Sequence, residues 1–211
     1  MAVRAVFFDV GETLLDETRL WESWADALEI PRFTFLATLG GVIARGEDHR
    51  RVFELLRPDL TDDELFARRN GVPPFGPDDL YPDALPCLEE LRSRGYRLGA
   101  AGNTTREVED ALRRCGFEFD SVGSSEGWQV WKPSPLFFGR VVEAAGCPPE
   151  EVAYVGDRVD NDVVPAATAG LVSVFIRRGP WAVLYGDRPE AAVARARIDS
   201  LAELPEVLRG L

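Results

Sequence analysis

Lysine is almost missing from this chain. Of 24 basic residues 23 are arginine, and Lys132 is the single lysine. The bias reflects coding composition rather than function, but it makes the location of that one lysine informative. Basic residues as a class are also short: 24 Lys and Arg face 36 Asp and Glu, a formal net charge of -12. That balance excludes a nucleic-acid-binding protein, which needs Lys and Arg to neutralise phosphates. Cysteine is scarce too. Cys87, Cys115 and Cys147 lie far apart, odd in number and without a CxxC pair, which fits a reduced, cytoplasmic protein with structural thiols. No apolar run approaches the roughly 20 residues of a membrane span. Asp9 interrupts the first apolar run before a secretory core could form. The expectation is a soluble protein with neither a membrane nor a nucleic-acid partner.

What is present suits one core domain with a small insertion. The 211 residues are 45% hydrophobic and 28% charged, enough to bury a substantial core. Residues 2–8 (AVRAVFF) form a β-compatible apolar run, as expected of a strand buried on both faces. The character then changes. Residues 18–30 carry Leu20, Trp21, Trp24 and Leu28 at helical spacing, and Pro31 ends them. Residues 34–44 and 49–56 are further helix candidates. Residues 61–70 open as T-D-D-E, a capping box with Thr61 as N-cap and Glu64 three residues on. A turn-rich connector spans 71–77. From Tyr81 strands and helices alternate: helices over 84–95, 105–115, 134–145, 162–169 and 201–208, strands over 96–101, 152–155, 171–176 and 196–199. Such alternation predicts an α/β fold, a doubly wound parallel sheet, over 1–15 and 79–211. An all-helical domain over 16–78 interrupts it.

In such sheets, ligands bind beyond the carboxyl ends of the strands. Asp9 follows the first strand, Gly102-Asn103-Thr104-Thr105 the second, and Gly156-Asp157 the third, with Asp160, Asn161 and Asp162 close behind. Several carboxylates with few bases beside them suit a hard, oxygen-liking cation such as Mg²⁺, which bridges carboxylates to substrate phosphate. Each piece alone has a plainer reading. Asp9 could be a turn or cap residue, and Asn103 to Thr105 could cap the next helix. The 160–162 cluster could favour a helix dipole, and Lys132 could be a solvated loop lysine.

Order and spacing together decide between them. FFDVGETL (7–14), LGAAGN (98–103), WKPSPLFF (131–138) and VAYVGDRVDND (152–162) resemble, in order, the four motifs of the haloacid dehalogenase-like (HAD) hydrolase superfamily. The resemblance covers residues 4–25 and 80–208. The helical insert matches in position and type the small α-helical cap of the subgroup with dehalogenases, phosphonatases and sugar-phosphate phosphatases. It implies a Rossmann-like core and a Mg²⁺-dependent phosphohydrolase acting on a small phosphorylated metabolite. Asp9 would be the nucleophile, forming an aspartyl-phosphate that water hydrolyses. Asp157 would hold Mg²⁺ with Asp9 and the backbone carbonyl of Gly11, and Asp162 would assist. Lys132 would offset the crowded negative charge, a point-charge role that suits an ammonium. Asn103 and nearby backbone amides, with Gly11, Glu12 and Thr104, would hold phosphate. The cap would select the substrate, with Arg19, Trp21, Trp24, Arg45, His49 and Arg50 its candidates. A monomer and a homodimer are both compatible with the sequence.

Two side chains usual in that family are absent. Its phosphatases carry a second Asp two residues after the nucleophile, which protonates the leaving alcohol; here stands Gly11. The second motif offers Ser or Thr before Asn103; here stands Gly102. Loss of such an acid typically costs 10²–10⁴-fold, less when the leaving group needs no proton. Glu12 and Thr104 are the candidate replacements. The alternatives are a weak or inactive relative binding a phosphometabolite or partner, and a 2-haloacid dehalogenase. Phosphonatase chemistry is disfavoured, because it draws on a cap lysine and this cap has none.

Overall fold

The protein is described by a computed structural model covering residues 2–69, 72 and 75–211. It divides into two compact units, Met1–Asp16 with Gly76–Leu211, and Glu17–Phe75.

The larger unit is built on six parallel strands: β1 (Ala5–Phe8), β2 (Arg97–Gly102), β3 (Ser121–Ser124), β4 (Val152–Gly156), β5 (Val172–Ile176) and β6 (Ala196–Ile198). Their order is β3-β2-β1-β4-β5-β6. Every residue of β1 and β4 is buried, as expected for central strands covered on both faces. The order runs outward from β1 through β2 to β3, then returns to β4 on the other side of β1. With right-handed crossovers, that reversal places the helices of the two halves on opposite faces.

Around the sheet lie α5 (Ala84–Ser93), α6 (Arg106–Arg114), α7 (Ser125–Trp128), α8 (Pro135–Ala145), α9 (Val164–Thr168), α10 (Gly179–Tyr185) and α11 (Leu204–Arg209). On the α8 face Phe7, Phe137, Phe138, Val141, Tyr154 and Ala166 form one buried cluster. Phe8 and Val6, on the opposite face by the period of two, are equally buried.

The sequence reading captures this framework apart from β3, α7 and α10. β3 reads SVGS, with Val122 its only large apolar side chain. It is an edge strand, paired to β2 alone, so nothing demands a hydrophobic run. The helix expected over 162–169 is also different: a π-helical turn, Val159–Val163, precedes α9.

The smaller unit consists of α1 (Thr18–Ala27), α2 (Arg32–Ala44), α3 (Arg51–Leu56) and α4 (Asp62–Arg69). Its core is aromatic. Trp21 lies 6.4 Å from Phe35 and 5.7 Å from His49, and Trp24 stacks edge-on to Phe53 at 4.9 Å. Arg45 and Arg50 pair with their neighbours Glu47 and Asp48. At α4 the expected capping box is present: Thr61 N donates to Glu64 Oε2 at 2.8 Å, and Glu64 N to Thr61 Oγ1 at 3.3 Å. Asn70, Gly71, Pro73 and Pro74, part of the expected helix end and connector, lie outside the described residues. No single described helix is long and apolar enough to cross a membrane; α1 and α2 reach that only together, across a 117° break.

Candidate active site

The strand order sets the site. β1 pairs with β2 on one side and β4 on the other, with Phe8 in register with Ala100 and Val155. The residues that follow these strands therefore emerge side by side at the reversal of strand order, where ligands bind in open α/β sheets. Asp9 is fixed there by its own N–H, which donates to Val155 O at 2.8 Å.

Four charged side chains converge. Carboxylate oxygens of Asp9, Asp157 and Asp162 lie within 4.8 Å of one another. Lys132 Nζ donates to Asp9 Oδ1 and to Asp162 Oδ1, each at 2.6 Å, and only 2% of its side chain is exposed. The rings of Phe137 and Tyr154 wall the ammonium at 5.9 and 5.8 Å. Burial alone would push the lysine down, but Asp162 and Asp9 reverse this and hold it well above its ordinary value. Asp162 is pushed up to about 6 by burial and then by the Asp9 charge. Asp157 is raised by burial, then by Asp162, Asp9 and Glu12.

The loop after β4 explains how Asp162 reaches the site. The π-turn is closed by Val163 N donating to Arg158 O at 3.1 Å; Asp162 N donates to the same carbonyl at 2.8 Å, and Asp162 Oδ2 accepts from Arg158 N at 3.0 Å. Gly156 is essential here, because a Cβ on it would stand 2.5 Å from the Asp162 carboxyl carbon. π-turns recur at functional sites for this reason: they redirect a side chain.

The residues present fit a divalent cation. Three carboxylates against one ammonium leave two negative charges without a partner when all are ionised, a costly arrangement in a buried site. Asp157 Oδ2 is buried and has no hydrogen-bond partner among the described residues, and buried polar atoms are almost always satisfied. An all-oxygen donor set suits Mg²⁺ chemistry.

The remaining sequence candidates are placed differently. Gly11 bridges to Leu15 in a tight loop closed by Glu12 N donating to Leu15 O at 2.7 Å. Glu12 is buried at φ +53°, and its Oε2 accepts the Tyr81 hydroxyl at 2.6 Å. Thr104 is held through its backbone: its carbonyl accepts from Ser125 Oγ and Glu126 N at 3.1 and 3.3 Å. Asn103 bonds the backbone of Lys132 at both ends, Nδ2 donating to Lys132 O at 3.0 Å and Oδ1 accepting from Lys132 N at 2.8 Å.

Sequence reasoning misses the support beneath this loop. Arg178 lies 4.2 Å over the Tyr81 ring and pairs with Asp83 at 2.6 Å, while Asp83 also accepts from Ser200 Oγ at 2.6 Å. These partners are separated by 95 and 117 positions, so local pattern carries no signal for them.

A family model described as haloacid dehalogenase-like hydrolase matches residues 3–170. The chain belongs to that family. Among relatives of this HAD-like hydrolase is a glyceraldehyde 3-phosphate phosphatase of Methanopyrus kandleri, 32% identical over 99% of this chain and 98% of its own length. The solved structure of a HAD phosphatase from Thermococcus onnurineus superposes with a TM-score of 0.65, at 30% identity and covering 99% of both chains. The L-2-haloacid dehalogenase of Xanthobacter autotrophicus also shares the fold, with TM-score 0.67, 20% identity and 99% coverage of both chains. The HAD-like fold thus hosts more than one chemistry, and the site must decide between them.

Proposed function

We propose that this protein is a Mg²⁺-dependent phosphohydrolase acting on a small phosphorylated metabolite through an aspartyl-phosphate on Asp9. The observation that carries the reading is the buried Lys132 ammonium between Asp9 and Asp162, beside the partnerless Asp157 oxygen. In a dehalogenase that attacks carbon without a metal, this surplus of carboxylate would have no counter-charge.

Mg²⁺ would be held by Asp9, Asp157 and the Gly11 carbonyl with help from Asp162, and would supply charge neutralisation for the bound phosphate. The Asp9 carboxylate attacks phosphorus; an Asp9 O–P bond forms as the bond from phosphorus to the substrate oxygen breaks. Lys132 holds Asp9 in one orientation and balances charge gathering on the phosphoryl oxygens. Gly11 has no side chain to give the departing alkoxide its proton, which therefore comes from water. Water then attacks phosphorus and gives up a proton to solvent as the Asp9 O–P bond breaks, releasing phosphate and restoring the Asp9 carboxylate. The Tyr81 hydrogen bond on Glu12 argues against Glu12 as the missing acid. Slow turnover of alcohol leaving groups is the consequence, with a typical penalty of about 10²–10⁴-fold.

The Methanopyrus kandleri relative, similar over nearly the full length, makes glyceraldehyde 3-phosphate the first physiological substrate to test. The helical unit is assigned the selection of substrate, as a cap.

The test is hydrolysis of p-nitrophenyl phosphate, acetyl phosphate and glyceraldehyde 3-phosphate, with and without Mg²⁺. Wild type should act only with Mg²⁺ and favour the first two, Asp9→Asn should be inert, and Gly11→Asp should gain most on glyceraldehyde 3-phosphate. Hydrolysis surviving in Asp9→Asn sinks the mechanism. Absent turnover in wild type with gain in Gly11→Asp points instead to a phosphometabolite-binding relative.

A further inference from the structure

Lys132 sits on the segment between α7 and α8, in neither helix, yet its ammonium must meet two carboxylates at 2.6 Å each. A four-carbon side chain can do so reproducibly only if its own backbone is fixed. Among the described residues, the Lys132 N–H and carbonyl have one partner between them, the amide of Asn103. That amide acts as a second peptide edge, offering one acceptor and one donor to one residue. It spans 29 positions of sequence and ties the loop after β2 to the lysine segment. Asn103 is itself exposed, so it fills no core space.

We infer that Asn103 is a positioning residue that acts through Lys132, fixing the lysine backbone so that the ammonium stays on Asp9 and Asp162. The inference deepens the phosphohydrolase reading and rests on it for its kinetic consequence, though not for its structural one. The competing role is a direct contact between Asn103 and substrate phosphate, for which one amide hydrogen remains. The two roles differ in what they disturb. A phosphate contact, once lost, weakens ground-state binding; a displaced lysine lowers the rate of the chemical step.

The single lysine makes the test direct. Protein labelled with ¹³C,¹⁵N-lysine has one lysine side-chain signal, that of Lys132, readable without turnover. In Asn103→Ala the signal should shift and its ammonium protons should exchange faster, with the thermal midpoint near that of wild type. Asn103→Asp keeps the acceptor for the Lys132 N–H and loses the donor, so it should fall between the two. It also serves as the second variant should Asn103→Ala fold poorly. In kinetics, Asn103→Ala should lower kcat by about 100-fold, the scale of a misplacement near 1 Å, with KM and inhibition by inorganic phosphate nearly unchanged. Its loss should not add to that of Lys132→Arg, because both act on one group. An unaltered lysine signal in both Asn103 variants overturns the inference. So does a rise in KM and in the phosphate inhibition constant at constant kcat. If wild type hydrolyses nothing, the lysine signal still decides the positioning role, and only the phosphohydrolase reading fails.

Discussion

Gly102 stands where the resemblance implies a hydroxyl, and the geometry gives its absence a cause. A Cβ at this position would lie 2.8 Å from Asp9 Oδ1 and 3.2 Å from Val10 Cγ2. Asp9 Oδ1 is also the atom that Lys132 holds at 2.6 Å, so it cannot yield without loosening that bond. Gly102→Ser should therefore not restore a family feature. It should push Asp9 off Lys132 and cut acetyl phosphate turnover by about 10-fold or more, since small displacements of reacting groups are costly. A gain in rate for Gly102→Ser would show that Asp9 has room to move. The carboxylates and the lysine of this site are marked out in the sequence by the order of four motifs that resemble the family's, since each taken alone has a plainer reading. What Asn103 and Glu12 touch is not legible. Their partners, Lys132 and Tyr81, are 29 and 69 positions away, and pairing at that range is a property of the fold.

β1, β4 and β5 could be read from the chain because they are buried runs; β3 could not, because its four residues, SVGS, hold one large apolar side chain. The same logic hides the joint at the start of α5. Asp83 precedes that helix and looks like an ordinary N-cap, yet it makes no cap bond. Instead its carboxylate accepts from both Arg178 nitrogens at 3.1 and 2.6 Å, from Ser200 Oγ at 2.6 Å and from Leu201 N at 2.9 Å. One side chain thus joins α5 to the segment after β5 and to the turn that leads into α11. Burial alone would raise its pKa, but Arg178 and Ser200 more than reverse that. Asp83→Ala leaves Arg178, only 10% exposed at its side chain, with the Thr13 carbonyl at 3.3 Å and the Tyr81 ring but no counter-charge at position 83. It should destabilise the fold by about 3 kcal/mol, as expected when one partner of a largely buried pair is removed. Denaturant unfolding checks it. A change under about 0.5 kcal/mol, the range of ordinary surface substitutions, would mean that the Thr13 carbonyl and the Tyr81 ring suffice to hold Arg178.

A chain of net charge -12 that also buries three carboxylates beside one lysine is set to be stabilised both by protons and by a metal ion, which compete for the same carboxylates. Asp162 titrates near 6 in the folded protein and Asp157 is raised as well. Both folded values lie above the ordinary aspartate value. Between the two, the native state binds more protons than the unfolded chain, so this contribution to stability falls as pH rises. For Asp162 the penalty develops as pH rises through about 6, above which both its folded and its unfolded forms are ionised. Asp157, raised by burial and by its acidic neighbours, adds to it. A divalent cation needs ionised ligands, so protons compete with it at low pH and it offsets the penalty as pH rises. In thermal unfolding, excess Mg²⁺ should leave the midpoint unchanged near pH 5. Near pH 7.5 it should raise it by roughly 5–10 °C, from about 2.7 kcal/mol at a hundredfold excess over Kd and 2–4 °C per kcal/mol. Asp157→Asn should abolish the Mg²⁺ response and raise the metal-free midpoint at the higher pH, because it removes a buried charge crowded by Asp162, Asp9 and Glu12. An equal Mg²⁺ shift at both pH values, or none in wild type at the higher one, would mean that this cluster is not where the protein binds a cation. A stabilised Asp157→Asn without a Mg²⁺ response would show that wild type gives up stability to keep a cation site.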